Sequence, residues 1–220
     1  MFPIRDTQPS YSKPVVSVCL IVMNLLVFLY EFSLDSFSQN EFIFTYGLVP
    51  DHFRIANVMT SMFLHGGWMH VLSNMWFLWI FGDNVEDILG HGKYLAFYLL
   101  CGVAAALAQT VANPYSRVPM VGASGAIAGV MGAYLVCYPA ARVKSVIFFG
   151  PVLLRKVRAS WLLILWLAAQ FLYVNSDVAW AAHLGGFAFG ALVGAFWRWR
   201  ETQARGVLPP PASEPEPVLR

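Results

Sequence analysis

Long apolar stretches separated by short polar breaks dominate the chain, and their lengths predict helices that cross a membrane. About 20 mostly apolar residues carry a helix through the hydrocarbon core. Six stretches approach that length: Val15–Phe32, Trp68–Ile88, Tyr94–Ala112, Met120–Tyr138, Ser160–Val174 and Val178–Trp199. The fifth is short. The second is unusually polar at its start, with His70, Ser73 and Asn74, and at its end, with Asp83, Glu86 and Asp87. One further apolar run, VIFFGPVLL at 146–154, is brief and broken by Gly150-Pro151, so it reads as a loop or an interfacial segment.

Composition sharpens this picture. The 220 residues are 58% hydrophobic and only 12% charged, with a mean hydropathy of +0.60; soluble domains carry about twice that share of charge. The expected fold is therefore all-α: a polytopic, six-helix membrane bundle over residues 15–199. It follows a polar segment, 1–14, and precedes a Pro-rich, disordered tail, 200–220, containing VLPPPASEPEPV. The polar start lacks a cleavable signal pattern, and the first span reads as a signal anchor. Six spans place twelve Lys and Arg residues on the side of the two termini and only Arg54 and Arg117 on the other. By the positive-inside rule both termini are cytoplasmic, and Ser33–Gly67 faces outward. We expect a multi-pass protein of the cell (inner) membrane of a prokaryote, in contact with the lipid bilayer. A net charge of +2 is too small to argue for nucleic acid. Cys19, Cys101 and Cys137 all lie in apolar stretches and read as free thiols.

Polar side chains at membrane depth are costly, and each invites a functional explanation. Ser124 lies in PMVGASGAIAGVMG, near the outer end of the fourth span, among Gly122, Gly125, Ala128, Gly129 and Gly132. Taken alone it is an ordinary packing residue between close helices. His183, in AWAAHLGGFAFGALVG, changes the balance. At about 100° per residue, Gly186, Gly190 and Gly194 fall in one stripe with it. That face lets a second small-residue helix approach until an imidazole nitrogen reaches a hydroxyl. A third cluster, HGGWMHVLSNMW at 65–76, puts His70 and Asn74 on one helix face, with His65 in the turn before it. The spacing is wrong for a zinc HExxH site. An intramembrane aspartyl protease needs two aspartates, and Asp83 stands alone at a helix end. All three clusters fall in the outer part of the membrane. A serine, a base and two polar donors are the parts of acyl-transfer chemistry.

The set HGGWMHVLSN, FGDNVEDILG, VGASGAIAGVMG and AHLGGFAFG resembles the rhomboid intramembrane serine proteases, from about Val15 to Trp199. The resemblance implies Ser124 as nucleophile and His183 as general base. It implies Asn74 and His70 as oxyanion-hole side chains, with the Ser124 backbone N–H. His65 then supports the outer loop, Gly122 gives the serine room, and Glu86 is a structural acid. Gly125 and Gly186 support the close approach of the two spans. Two features depart from many relatives: Ala128 stands where an aromatic residue stacks on the base, and the first outer loop lacks a Trp-Arg pair.

On this reading the protein is a serine endopeptidase that cuts transmembrane substrates entering sideways, with no metal or organic cofactor. His183 has no evident third member to orient it, since Asp177 lies six residues away in a loop. The activity is thus expected to run on a dyad. A catalytically dead relative and a transporter or channel are the alternatives. Transporters usually carry repeats and broken helices near the midplane, and neither is visible here.

Overall fold

All six apolar stretches contain a helix, and the fifth, Ser160–Val174, gives a short one with a tighter end. In the computed structural model, which describes residues 2–148, 152–173 and 178–205, these are α1 (Val15–Ser33), α4 (Trp68–Leu89), α5 (His91–Ala112), α6 (Ser124–Cys137), α7 (Ala159–Ala169) and α8 (Trp180–Arg205). A 3₁₀ turn, Gln170–Tyr173, continues α7. Among the described residues three helices, starting at Val15, His91 and Trp180, are long and apolar enough to cross a membrane, and α6 and α7 are shorter apolar helices. The four residues Met120–Ala123 that precede α6 in its expected span, and Gln170–Tyr173 after α7, form a loop and a turn that shape the site.

The exterior of the bundle is apolar, unlike that of a soluble protein. Leu26, Leu29, Leu107, Leu192 and Phe196 are all at least about half exposed, while Ser17, Asn24, Glu31 and Glu86 are buried. An apolar exterior costs nothing against lipid, and polar groups find hydrogen bonds only inside. α6 sits at the centre: every residue from Gly125 to Tyr134 is buried. Its many small residues let the neighbouring helices close around it.

Glycine sets how near α8 comes to α6. A Cβ on Gly186 would strike the Gly125 carbonyl oxygen, and one on Gly190 would strike that of Gly129. At Gly194 it would lie 2.9 Å from the Ala133 Cα. The glycine stripe on one span thus lies directly against the glycines of the other, as small-residue packing in membranes requires.

Two regions differ from expectation. The bundle is not purely helical. Residues Phe2–Asp6 (β1), Arg142–Phe148 (β2) and Val152–Arg158 (β3) form an antiparallel sheet in the order β1-β2-β3. Alternation explains it: Val143 and Ser145 are fully buried, whereas Arg142, Lys144, Lys156 and Arg158 share the opposite face in register. The expected loop at 146–154 therefore contributes parts of two strands; residues 149–151 lie outside the described chain. The stretch Ser33–Gly67, expected to face outward, is also structured. It holds α2 (Ser36–Tyr46), α3 (Ile55–Thr60) and the 3₁₀ turns Pro50–His52 and Ser61–Phe63.

The polar segment before α1 is strapped along α4. The Trp76 indole N–H donates to the Pro3 carbonyl at 2.7 Å, and the Tyr134 hydroxyl donates to the Asp6 carboxylate at 2.7 Å. The Tyr11 and Ser12 amides reach Asp87 at 3.1 and 2.8 Å. Glu86 then caps α1, accepting from the Val16 and Ser17 amides at 2.8 Å each and from the Ser17 hydroxyl. The acidic end of α4 is the anchor of this strap and of the first turn of α1.

Candidate active site

The segments around Leu48 and Ser61 aim the start of α6. Leu48 and Met120 exchange backbone hydrogen bonds at 3.0 and 2.8 Å, and the Gly122 amide donates to the Ser61 carbonyl at 2.9 Å. Gly122 has φ +121°, a region that side chains avoid. A Cβ there would also sit 2.7 Å from the His70 Nε2. Glycine is required twice over, by backbone and by space. Two residues later Ser124 opens the helix. The first intrahelical bond runs from the Ile127 N–H to the Ala123 carbonyl, so the amides of residues 124–126 have no acceptor within the helix and carry its positive dipole end.

His183 lies in the first turn of α8. Its Nε2 stands 2.8 Å from the Ser124 hydroxyl oxygen. Two elements hold the start of α8 in place: the Ala182 amide donates to the Gln109 side-chain oxygen at 3.3 Å, and Gly186 seats against α6. The expectation that imidazole and hydroxyl meet across the two glycine faces corresponds to this geometry.

Both side chains line a cavity of about 470 Å³, together with His70, Asn74, Trp166 and Met120. Asn74 is buried, and its Nδ2 has no hydrogen-bond partner within the described protein. A donor left unmatched on a cavity wall is expensive unless something arrives to accept from it. His70 accepts a long bond from the Gly66 amide at Nδ1, 3.4 Å, which leaves Nε2 as its donor nitrogen. His65 does not line the cavity. It is fully buried, edge-on to Phe28 and His70, and its amide donates to Glu31 at 3.1 Å.

The structure corrects one expectation. His183 has a third neighbour: its Nδ1 lies 2.6 Å from the Gln170 side-chain oxygen. Gln170 is buried in the turn after α7. A lone amide in an apolar span has no periodic signature, and its contact depends on the helix tightening there, so the sequence carried no sign of it. Ala128 is buried in α6 and leaves the imidazole without a ring from that helix. The Trp166 ring of α7 approaches it instead, with centroids 5.6 Å apart. Asp177 lies outside the described residues. Cys101 is buried and Cys19 and Cys137 are free thiols.

Comparison with known proteins gives one family: the Rhomboid domain matches residues 52–200. Rhomboid protease GluP of Bacillus subtilis (strain 168) is 29% identical over 191 residues, covering 84% of this chain and 34% of that protein. Rhomboid protein 1, mitochondrial, of Saccharomyces cerevisiae is 29% identical over 165 residues, 68% of this chain and 46% of its own length. Rhomboid-like protein 11, chloroplastic, of Arabidopsis thaliana is 35% identical over 111 residues, 50% and 38% of the two chains. The chain spans less than half the length of each of these three relatives.

Proposed function

The chain belongs to the rhomboid family, and we propose that it is an intramembrane serine endopeptidase that hydrolyses peptide bonds in or near the transmembrane segments of other proteins. One observation carries the reading: a hydroxyl and an imidazole, 59 residues apart in sequence, lie at 2.8 Å on the wall of one cavity. Such a pair within hydrogen-bond reach is what an activated serine nucleophile requires.

Ser124 attacks the scissile carbonyl while His183 Nε2 takes its proton and later returns it to the leaving amine. The negative oxygen that forms is met by Asn74 Nδ2, His70 Nε2 and the unpaired amides at the start of α6, all fixed before reaction. Gly122 keeps that pocket open, Gly125 and Gly186 bring the two reacting helices together, and His65 supports His70 from behind. A helical substrate must unwind locally, since its carbonyls are already bonded within the helix, and it enters sideways from the bilayer.

Six helices, α1 and α4–α8, cross the membrane in this reading, as one protease domain over residues 15–199. Both termini lie in the cytoplasm, with a Pro-rich tail beyond residue 199, and the membrane is the inner membrane of a prokaryote. The chemistry uses no cofactor and no nucleic acid partner. Ser124→Ala is expected to abolish cleavage of a reconstituted transmembrane substrate and labelling by a fluorophosphonate probe, with the thermal unfolding of the protein retained. Cleavage by that variant, with other proteases excluded, overturns the assignment.

A further inference from the structure

We propose that Gln170 is a positioning residue that sets the tautomer and the ring orientation of His183; this rests on the serine-protease reading above. The series of contacts starts at a backbone carbonyl. The Gln170 Nε2 donates to the Trp166 carbonyl oxygen, 3.0 Å away and one turn earlier. Only the amide nitrogen can donate, so this bond decides which way round the amide sits. Its oxygen is thereby turned to His183 Nδ1, 2.6 Å away. An amide oxygen only accepts, so Nδ1 carries the hydrogen. A neutral imidazole protonated there has its lone pair at Nε2, which faces the Ser124 hydroxyl at 2.8 Å. Each group fixes the next, from carbonyl to amide to ring to nucleophile.

The choice of an amide has a physical reason. A carboxylate would orient the ring equally well, but a charge at this depth is costly to bury. Gln170, 5% exposed, supplies the acceptor without that charge. Trp166 adds a ring against the imidazole, where Ala128 of α6 supplies none. Both constraints on His183 thus come from the stretch Trp166–Gln170, which makes the end of α7 part of the base.

The test compares kcat, KM and pH profiles of the full chain with a transmembrane substrate. Gln170→Met, near in shape but unable to accept, is expected to lower kcat about tenfold with KM little changed, the worth of one buried neutral hydrogen bond. Gln170→Glu is expected to recover part of that rate. It also moves the acidic limb of kcat/KM to higher pH, because a carboxylate favours the imidazolium. A purely structural role would not move that limb. Wild-type rates and pH limbs in both variants overturn the inference, while loss of activity in Ser124→Ala in the same assay leaves the protease reading intact. Where the variants do not fold, ¹⁵N spectra of histidine-labelled wild-type protein decide: a protonated Nδ1 at His183 is expected, and a protonated Nε2 overturns the inference.

Discussion

Gly122 and Asn74 show how much of the site is decided one side chain at a time. At Gly122 the φ of +121° and the 2.7 Å clearance to His70 both forbid a Cβ. Gly122→Ala is expected to destabilise the protein by about 1–3 kcal/mol, the cost of holding a side chain in a sparsely populated backbone region. It also displaces His70, so fluorophosphonate labelling of Ser124 should slow beyond what lost stability explains. Asn74 tests the opposite case, a donor with nothing yet to bind. Asn74→Ala removes an unpartnered buried amide, so thermal unfolding should change little. kcat should fall about 10²–10³-fold, as when one oxyanion donor is lost. A variant equally poor in folding and in kcat would point to packing instead.

At the level of elements, the α6–α8 contact governs the distance between the reacting groups. A Cβ at Gly190 would meet the Gly129 carbonyl, whereas at Gly92, in α5, it meets nothing within 4 Å. Gly190→Ala is expected to cost about 1–3 kcal/mol by overpacking. Gly92→Ala should raise stability by a few tenths to about 1 kcal/mol, since alanine is the better helix former. Opposite shifts in thermal unfolding midpoint check the pair. This contact was readable beforehand because His183, Gly186, Gly190 and Gly194 repeat with the helical period, and period is what a sequence displays. The sheet was not readable. Its inward residues, Val143 and Ser145, are few and its outward ones charged. The apolar run that drew attention straddles two strands instead of lying along one. Gln170 escaped for a related reason: its meaning comes from a 3₁₀ turn and from a ring 13 residues away.

For the molecule as a whole, the strap over α4 joins the polar ends of several helices. Asp6 is its most telling member. Burial pushes the Asp6 carboxyl up to about 6, with the Asp83 carboxylate acting in the same direction and the bond from Tyr134 opposing both. The folded chain therefore holds this proton more tightly than the unfolded chain, whose ordinary value is 3.8. The contribution to stability is greatest below 3.8, declines as pH rises, and is lost above about 6. Hydrogen exchange at residues 2–8, corrected for its intrinsic pH dependence, should report easier opening at pH 7 than at pH 5. Asp6→Asn should flatten that difference.

Phe2 lies opposite Val146 in the sheet, and this pairing has a consequence for biogenesis. Residues 2–6 cannot find their partner strand until residues 142–148 have been translated. Contacts between such distant parts of a chain form late. A nascent chain arrested before Arg142 keeps residues 2–6 without their strand partner. Release of the hairpin is then the event that draws them in.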